Sequence, residues 1–390
     1  MTDLIPNAKK NNKTGHDQEA EIPRQLIIFG PPGTGKTFRV HGKSKNREGK
    51  FLYDPDSYAT KLGIPEDAEN RIVNAVFHPE YTYGDFMGRL QPLSQPDGKI
   101  TYRFRPGHFL IALAEAYNTT SYQDDSDDHG NVLLVIDELN RGNASAIFGP
   151  VFNLLDRDDE GRSSYPITLP EMEFNCLLYL IEGITNVLPS GKFFQKEGTE
   201  VTFPWSQYPK LRKLGLTAGE GNDEVATYKI TLPPNLYVMA TINTSDESIY
   251  YMDSAFKRRW DWEYMHEDGK IKSPNIDGLT HELDWSNFRQ KLNSFIRSDG
   301  ATGRKLDDKV LGNRFIKGID ENGTKTMNAR DVSKVFFHLW DSVFARDRRP
   351  LEEFIGSDVR LRTFSDFIER ADGFIKKVDA RPVSEKKNDD

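Results

Sequence analysis

Short apolar runs punctuate an otherwise polar chain at residues 26–29, 72–77, 132–136, 236–242 and 260–264. Each is too short for a helix and rich in β-branched or aromatic residues, so each reads as a strand. Their near-continuous apolar character predicts strands covered on both faces, as in a parallel sheet. Helical periodicity fills the intervals: Phe109, Leu110, Leu113 and Ala116 mark a helix over 108–117. Ile147, Phe148, Val151, Leu154 and Leu155 mark a continuous amphipathic helix over 139–155. Shorter helices are expected at 176–184 and 253–257. Pro96-Asp97-Gly98-Lys99 predicts a hairpin turn, with Ile100, Tyr102 and Phe104 alternating along its second arm. Beyond residue 266 the pattern is helical, around 288–296, 332–344, 351–355 and 362–375. The expectation is an α/β fold, a central parallel sheet flanked by helices, with a small C-terminal helical lid. Residues 1–21 read as a loose tail, 22–265 as the α/β domain, 156–229 as an insertion projecting from it, 266–380 as the lid and 381–390 as a disordered tail.

Directly after the first strand comes Gly30-Pro31-Pro32-Gly33-Thr34-Gly35-Lys36-Thr37. A glycine, four residues, then glycine-lysine-threonine is the pattern of a phosphate-binding loop. Glycines let the backbone curl so that successive N–H groups face phosphate oxygens. Lys36 then reaches the β- and γ-phosphates of a nucleoside triphosphate, and the Thr37 hydroxyl ligates Mg²⁺.

The third apolar run ends in Asp137-Glu138, at the carboxyl edge where open α/β sheets bind ligands. Asp137 is expected to hold Mg²⁺ through water and Glu138 to orient and deprotonate the attacking water. The fourth ends in Asn243-Thr244-Ser245-Asp246, placing a polar group beside the γ-phosphate. The paired Arg258-Arg259 could stabilise transition-state charge on a neighbouring subunit's nucleotide.

Composition narrows the class. With 390 residues, 37% hydrophobic and 29% charged, the chain has the make-up of a soluble globular protein of two or three units. The N-terminus lacks the apolar core of a signal peptide, and no run is long enough to span a bilayer. Its single cysteine, Cys176, excludes an intrachain disulfide and suits a reducing cytoplasm. A formal net charge of −8 argues against an extensive nucleic-acid surface but leaves room for a local basic strip. Asp307-Asp308-Lys309 has an acid-x-lysine spacing without a preceding Pro-Asp, and reads as a surface cluster instead of a nuclease centre.

The order phosphate loop, acidic strand end, polar strand end, arginine pair and helical lid resembles an AAA+ ATPase module. The wording of 30–37, of the aromatic segment 77–86, of Ile136-Asp137-Glu138-Leu139-Asn140-Arg141 and of Ile242-Asn243-Thr244-Ser245-Asp246 resembles the McrB family in particular. That family supplies the nucleotide-hydrolysing motor of modification-dependent restriction systems. Leu311-Gly312-Asn313-Arg314-Phe315 looks like a degraded counterpart of a further family element in the lid. The resemblance implies a homo-oligomeric ring, generally a hexamer. In it, Asn243 and Asp246 position the water, and Arg141 or the Arg258-Arg259 pair reaches the neighbour's phosphates. It further implies a McrC-like nuclease partner, contact with DNA through the complex and no membrane. Residue chemistry does not select between GTP and ATP, and the resemblance favours GTP. Three departures stand out: Glu247 replaces the family's arginine, the 156–229 insertion is long, and no modified-base-reading domain precedes the motor. The competing reading is a MoxR-like AAA+ chaperone that remodels a protein, and a third is a nucleotide-gated assembly switch.

Overall fold

The computed structural model describes residues 21–45, 51–119, 130–182, 184–187, 192–195, 200–202, 228–244, 250, 252–272, 274, 284–297, 309–316, 318–321 and 324–382. The apolar runs assemble into one parallel sheet of β1 (Gln25–Gly30), β2 (Ile72–Val76), β3 (Val132–Asp137), β4 (Leu236–Asn243) and β5 (Asp261–Tyr264), in the spatial order β5-β1-β4-β3-β2. Alternation along the strands sorts their side chains to two faces. Leu26, Ile28, Leu133, Val135 and Met239 pack on one face, and Ile27, Phe29, Leu134, Ile136 and Ala240 join the larger core on the other. Both faces are dry in β1 and β4, which explains why their sequences do not alternate.

Register aligns the carboxyl ends. Gly30 pairs with Asn243, Ala240 with Ile136 and Val76 with Asp137, so the tips of β1, β4 and β3 are immediate neighbours. Helix α1 (Lys36–His41) leaves the β1 tip, and α2 (His108–Asn118) packs against β2 and β3. Between β2 and α2 a two-stranded ribbon, Gly88–Ser94 with Ile100–Pro106, extends from the sheet as the turn chemistry predicts.

One expectation is corrected here. The continuous helix over 139–155 is instead a single 3-10 turn (Leu139–Arg141), α3 (Ala144–Phe148) and a longer 3-10 segment (Gly149–Leu155). Gly142 and Asn143 interrupt the first junction, where Asn143 caps α3, and Gly149-Pro150 interrupts the second. The start of the expected insertion makes its own contacts with the α/β domain. Arg157 is half-buried, and its guanidinium donates to the carbonyls of Gly161 (2.7 Å), Pro233 (2.9 Å) and Leu236 (2.8 Å). Burial pushes its pKa down to about 9. Ile167–Thr168 pairs with Lys229–Ile230, and α4 (Glu171–Glu182), longer than its predicted counterpart, packs against α2.

Helix α5 (Ser254–Arg258) precedes β5, and the remaining described chain is mainly α6 (Trp285–Phe295), α7 (Ala329–His338), α8 (Arg349–Ile355), α9 (Phe364–Ile368) and α10 (Ala371–Asp379). The single helix expected over 362–375 is therefore two, separated at Glu369-Arg370. These helices form a layer against the β1–β5 end of the sheet. Phe29 is in ring contact with Trp262 and Tyr264 of β5, with Phe337 of α7 and with Phe364 of α9. Aromatic pairs of this kind contribute about 0.5–1.5 kcal/mol each beyond their area. Lys257 of α5, buried, adds an ion pair with Asp341 at 2.6 Å and a bond to Ser342 Oγ at 2.8 Å.

Candidate functional site

The aligned tips of β1, β4 and β3 open into a cleft of about 600 Å³ lined by the phosphate loop, Thr37, Glu138, Thr241 and Asn243, with His41 and Lys43 at its side. Gly33 and Gly35 hold the loop's curl with φ of 77° and 87°, values a side chain would strain. Gly30 has a different constraint: a Cβ there would lie 2.1 Å from the Met265 carbonyl oxygen, because β5 runs alongside. Lys36 is buried, and its ammonium donates to the carbonyls of Gly30 (3.1 Å) and Pro31 (2.6 Å) at the loop's own entrance.

Across from the loop, the two acidic residues are arranged differently. Asp137 Oδ1 accepts the Thr37 hydroxyl at 2.9 Å and the Thr241 hydroxyl at 2.8 Å. Glu138 Oε1 accepts from Asn243 Nδ2 at 2.6 Å, while its Oε2 is buried with no partner among the described residues. Glu138 is also the sole non-glycine described residue with positive φ, at 58°. Such a conformation costs about 1–3 kcal/mol and persists where surrounding contacts hold it. Here the Glu138 N–H lies 3.4 Å from Thr241 Oγ1, and the chain beyond turns directly into the 3-10 segment.

The phosphate loop, Thr37, Asp137, Glu138 and Asn243, predicted from separate stretches, thus converge on one cleft. Asp246 and Glu247 lie outside the described residues. Arg141 is exposed beside the cleft's acidic strand end. The arginine pair splits: Arg258 is exposed, whereas Arg259 is 8% exposed and turned inward. Its guanidinium bonds Asp156 at 2.6 Å and the Ala255 carbonyl at 3.0 Å, and stacks 3.9 Å from the Phe152 ring. Thr241 went unpredicted. Its only signal was a hydroxyl interrupting the apolar run Leu236-Tyr237-Val238-Met239-Ala240-Thr241-Ile242.

A hydroxyl and a carboxylate at 2.9 Å offer hard oxygen donors of the kind Mg²⁺ takes, and the orphan Glu138 Oε2 is an acceptor in want of a proton donor. No group of three or more His, Cys, Asp or Glu suited to a metal occurs among the described residues. No described helix is long and apolar enough to cross a membrane.

No protein-family model matches the chain. Two relatives do. The type II restriction enzyme BsuMI component YdiS of Bacillus subtilis is 27% identical over 380 residues, covering 90% of this chain and 87% of the relative. The type IV methyl-directed restriction enzyme EcoKMcrB subunit of Escherichia coli is 24% identical over 240 residues, covering 61% of this chain and about a third (34%) of the relative's length. A crystal structure from Cytophaga hutchinsonii, provisionally described as an ATPase, overlays with a TM-score of 0.23 and 11% identity over 82% of this chain and 72% of its own, too loosely to weigh. The sheet order, the convergence of the β1, β3 and β4 tips and the match to two restriction-enzyme components agree with the chain's resemblance to the McrB-like AAA+ family.

Proposed function

We propose that this protein is a Mg²⁺-dependent nucleoside triphosphatase, the ring-forming motor subunit of a McrBC-like DNA restriction and anti-phage complex. The observation that carries the reading is the pair of contacts across the cleft, Thr37 to Asp137 at 2.9 Å and Asn243 to Glu138 at 2.6 Å. They bring a metal-binding hydroxyl and carboxylate within one strand spacing of a carboxylate with a buried free oxygen. Backbone N–H groups of residues 30–37 cradle the phosphates, and Lys36 exchanges its carbonyl partners for β- and γ-phosphate oxygens. Thr37 and Asp137 hold Mg²⁺, which neutralises charge on the phosphates when bound. Glu138 Oε2 takes the proton of the attacking water, and Asn243 fixes the carboxylate plane through Oε1. Asp246 stands with Asn243 as a water-positioning group.

Arg141 and Arg258, both exposed, are the arginines we assign to a neighbouring subunit's nucleotide in a ring, generally a hexamer. Arg259 reaches a neighbour only by leaving its Asp156 pair. GTP is the favoured triphosphate and ATP the alternative. The work of hydrolysis is delivered to a McrC-like nuclease partner and through it to DNA, in line with the two restriction-enzyme relatives. The test is Glu138→Gln, which keeps the Asn243 contact but removes the base. Phosphate release should fall by about 100- to 10,000-fold with nucleotide affinity and ring assembly retained. Release at the wild-type rate would remove Glu138 from the mechanism.

A further inference from the structure

The ribbon between β2 and α2 carries chemistry that the hydrolysis site does not use. Register pairs Arg89 with Arg105 and Gln91 with Arg103, so these side chains share one face of the pleat. Like charges directly opposite each other destabilise a strand pair, so packing alone gives no reason for this arrangement. Arg89 reaches Asp85 at 2.9 Å. Arg103 and Arg105 are exposed, and neither is salt-bridged to a carboxylate among the described residues.

Two cavities flank the basic face and meet at Arg105 and Pro106. One, about 830 Å³ between the ribbon and α4, is lined by Arg103, Arg105, Tyr102, Phe104 and Tyr179. The other, about 630 Å³ at the ribbon's root, is lined by Arg89, Arg105, His78, His108 and Tyr81, with Asp85 as its one carboxylate. Together they make a continuous trough, cationic and aromatic, on a chain whose net charge is −8. Arg103 and Arg105 stand about 6.8 Å apart along the strand, close enough to engage neighbouring phosphates of one extended strand. Tyr179 of α4 lines the same cavity as Arg103 and Arg105 and offers a ring for a base. A charged groove that tracks a backbone, with aromatic platforms beside it, is how single strands are held without sequence reading.

We propose that this trough binds single-stranded DNA, with Arg103 and Arg105 on phosphates and Tyr179 stacking a base. The trough also adjoins the nucleotide cleft: Asn74 lines it, and its Oδ1 accepts a 2.7 Å bond from Nε2 of His41, which lines the cleft. The choice of DNA over RNA rests on the restriction reading, whereas binding itself needs no hydrolysis.

The experiment is fluorescence anisotropy of a labelled 20-nucleotide oligo-dT on the full chain across a salt series. Wild type should bind with a negative salt slope, and Lys36→Ala should bind equally well, which separates this inference from the motor reading. Arg103→Ala/Arg105→Ala should weaken binding at least about tenfold and flatten the log–log salt slope by about 1.4, two phosphate contacts at about 0.7 each. Its nucleotide hydrolysis should match wild type, and should the double variant fail to fold, Arg105→Gln carries the same test at half the slope change. Salt-independent binding, no binding, or unchanged affinity in these variants would overturn the proposal. So would tighter binding of oligo-rU, or variants that keep oligo-dT binding and lose only their response to a nuclease subunit, which would make the trough a protein-docking surface.

Discussion

Replacing Thr241 with valine tests how much of the site depends on one buried hydroxyl. The substitution is nearly isosteric, and Thr241 is 4% exposed, so its packing in β4 is kept. What disappears is the donor to Asp137 Oδ1 at 2.8 Å and a long acceptor contact to the Glu138 N–H at 3.4 Å. The second is weak at that distance. The first is a hydrogen bond to a carboxylate, which contributes about 1.5–3 kcal/mol. Asp137 then keeps one hydroxyl, that of Thr37, and is free to rotate away from the geometry the metal needs. If the loss falls on the transition state, about 1.4 kcal/mol per tenfold gives a drop of about 10- to 150-fold in kcat. KM should change little, because residues 30–37 still hold the phosphates. The apparent Mg²⁺ requirement should rise, and Thr241→Ser should restore both. Steady-state phosphate release against nucleotide and against Mg²⁺ measures all three. A valine variant within twofold of wild type in kcat, with the same Mg²⁺ requirement, would refute this account of how Asp137 is held.

Two further outcomes follow from buried charge. Arg259→Ala strips the partner from half-exposed Asp156 and the cation from the Phe152 face, and should destabilise the fold by about 1–3 kcal/mol, read by denaturant midpoint. Arg258→Ala, at an exposed position, should leave the midpoint unchanged and lower turnover only in the assembled ring, where mixing with Lys36→Ala subunits should recover it. Equal stability losses in both would remove the distinction drawn between them. His338 sits buried beneath Lys257, Asp341 and the Lys309 carbonyl, and burial lowers its pKa to about 4 from 6.5. An unfolded chain therefore takes up a proton over that window that the folded one refuses. Stability should be fully present above pH 6.5 and fall by about 3 kcal/mol as pH drops towards 4. His338→Gln should flatten that segment of the profile, and an unaltered slope would assign the loss to other groups.

Much of the fold was legible because it is written in local periods. A run such as Val132-Leu133-Leu134-Val135-Ile136 has no polar side to show solvent, so it must be covered twice, and helices must alternate with it. The helix expected over 139–155 failed for an equally local reason. Its apolar spacing is helical, but Gly142, Asn143 and Gly149-Pro150 cut the hydrogen-bond ladder, and the spacing survives as short turns on the same core. The contacts of Arg157 were not legible, because two of its carbonyl partners lie some 76 to 79 residues away in the chain.

The chain by itself determined the phosphate loop, the acidic strand end and the polar strand end, since each is a contiguous string whose chemistry depends on its neighbours in sequence. Tertiary structure decided which of them meet. Strand order sets β4 between β1 and β3, which brings Asn243 to Glu138 and makes a lone hydroxyl in an apolar strand, Thr241, a partner of Asp137. The same packing turned Arg259 inward and left Arg258 out, a difference two adjacent arginines cannot show in sequence. Local pattern dictates what a segment must bury; only the long-range pairing of segments dictates which atoms lie within the three ångströms where hydrogen bonds and metal ligation operate.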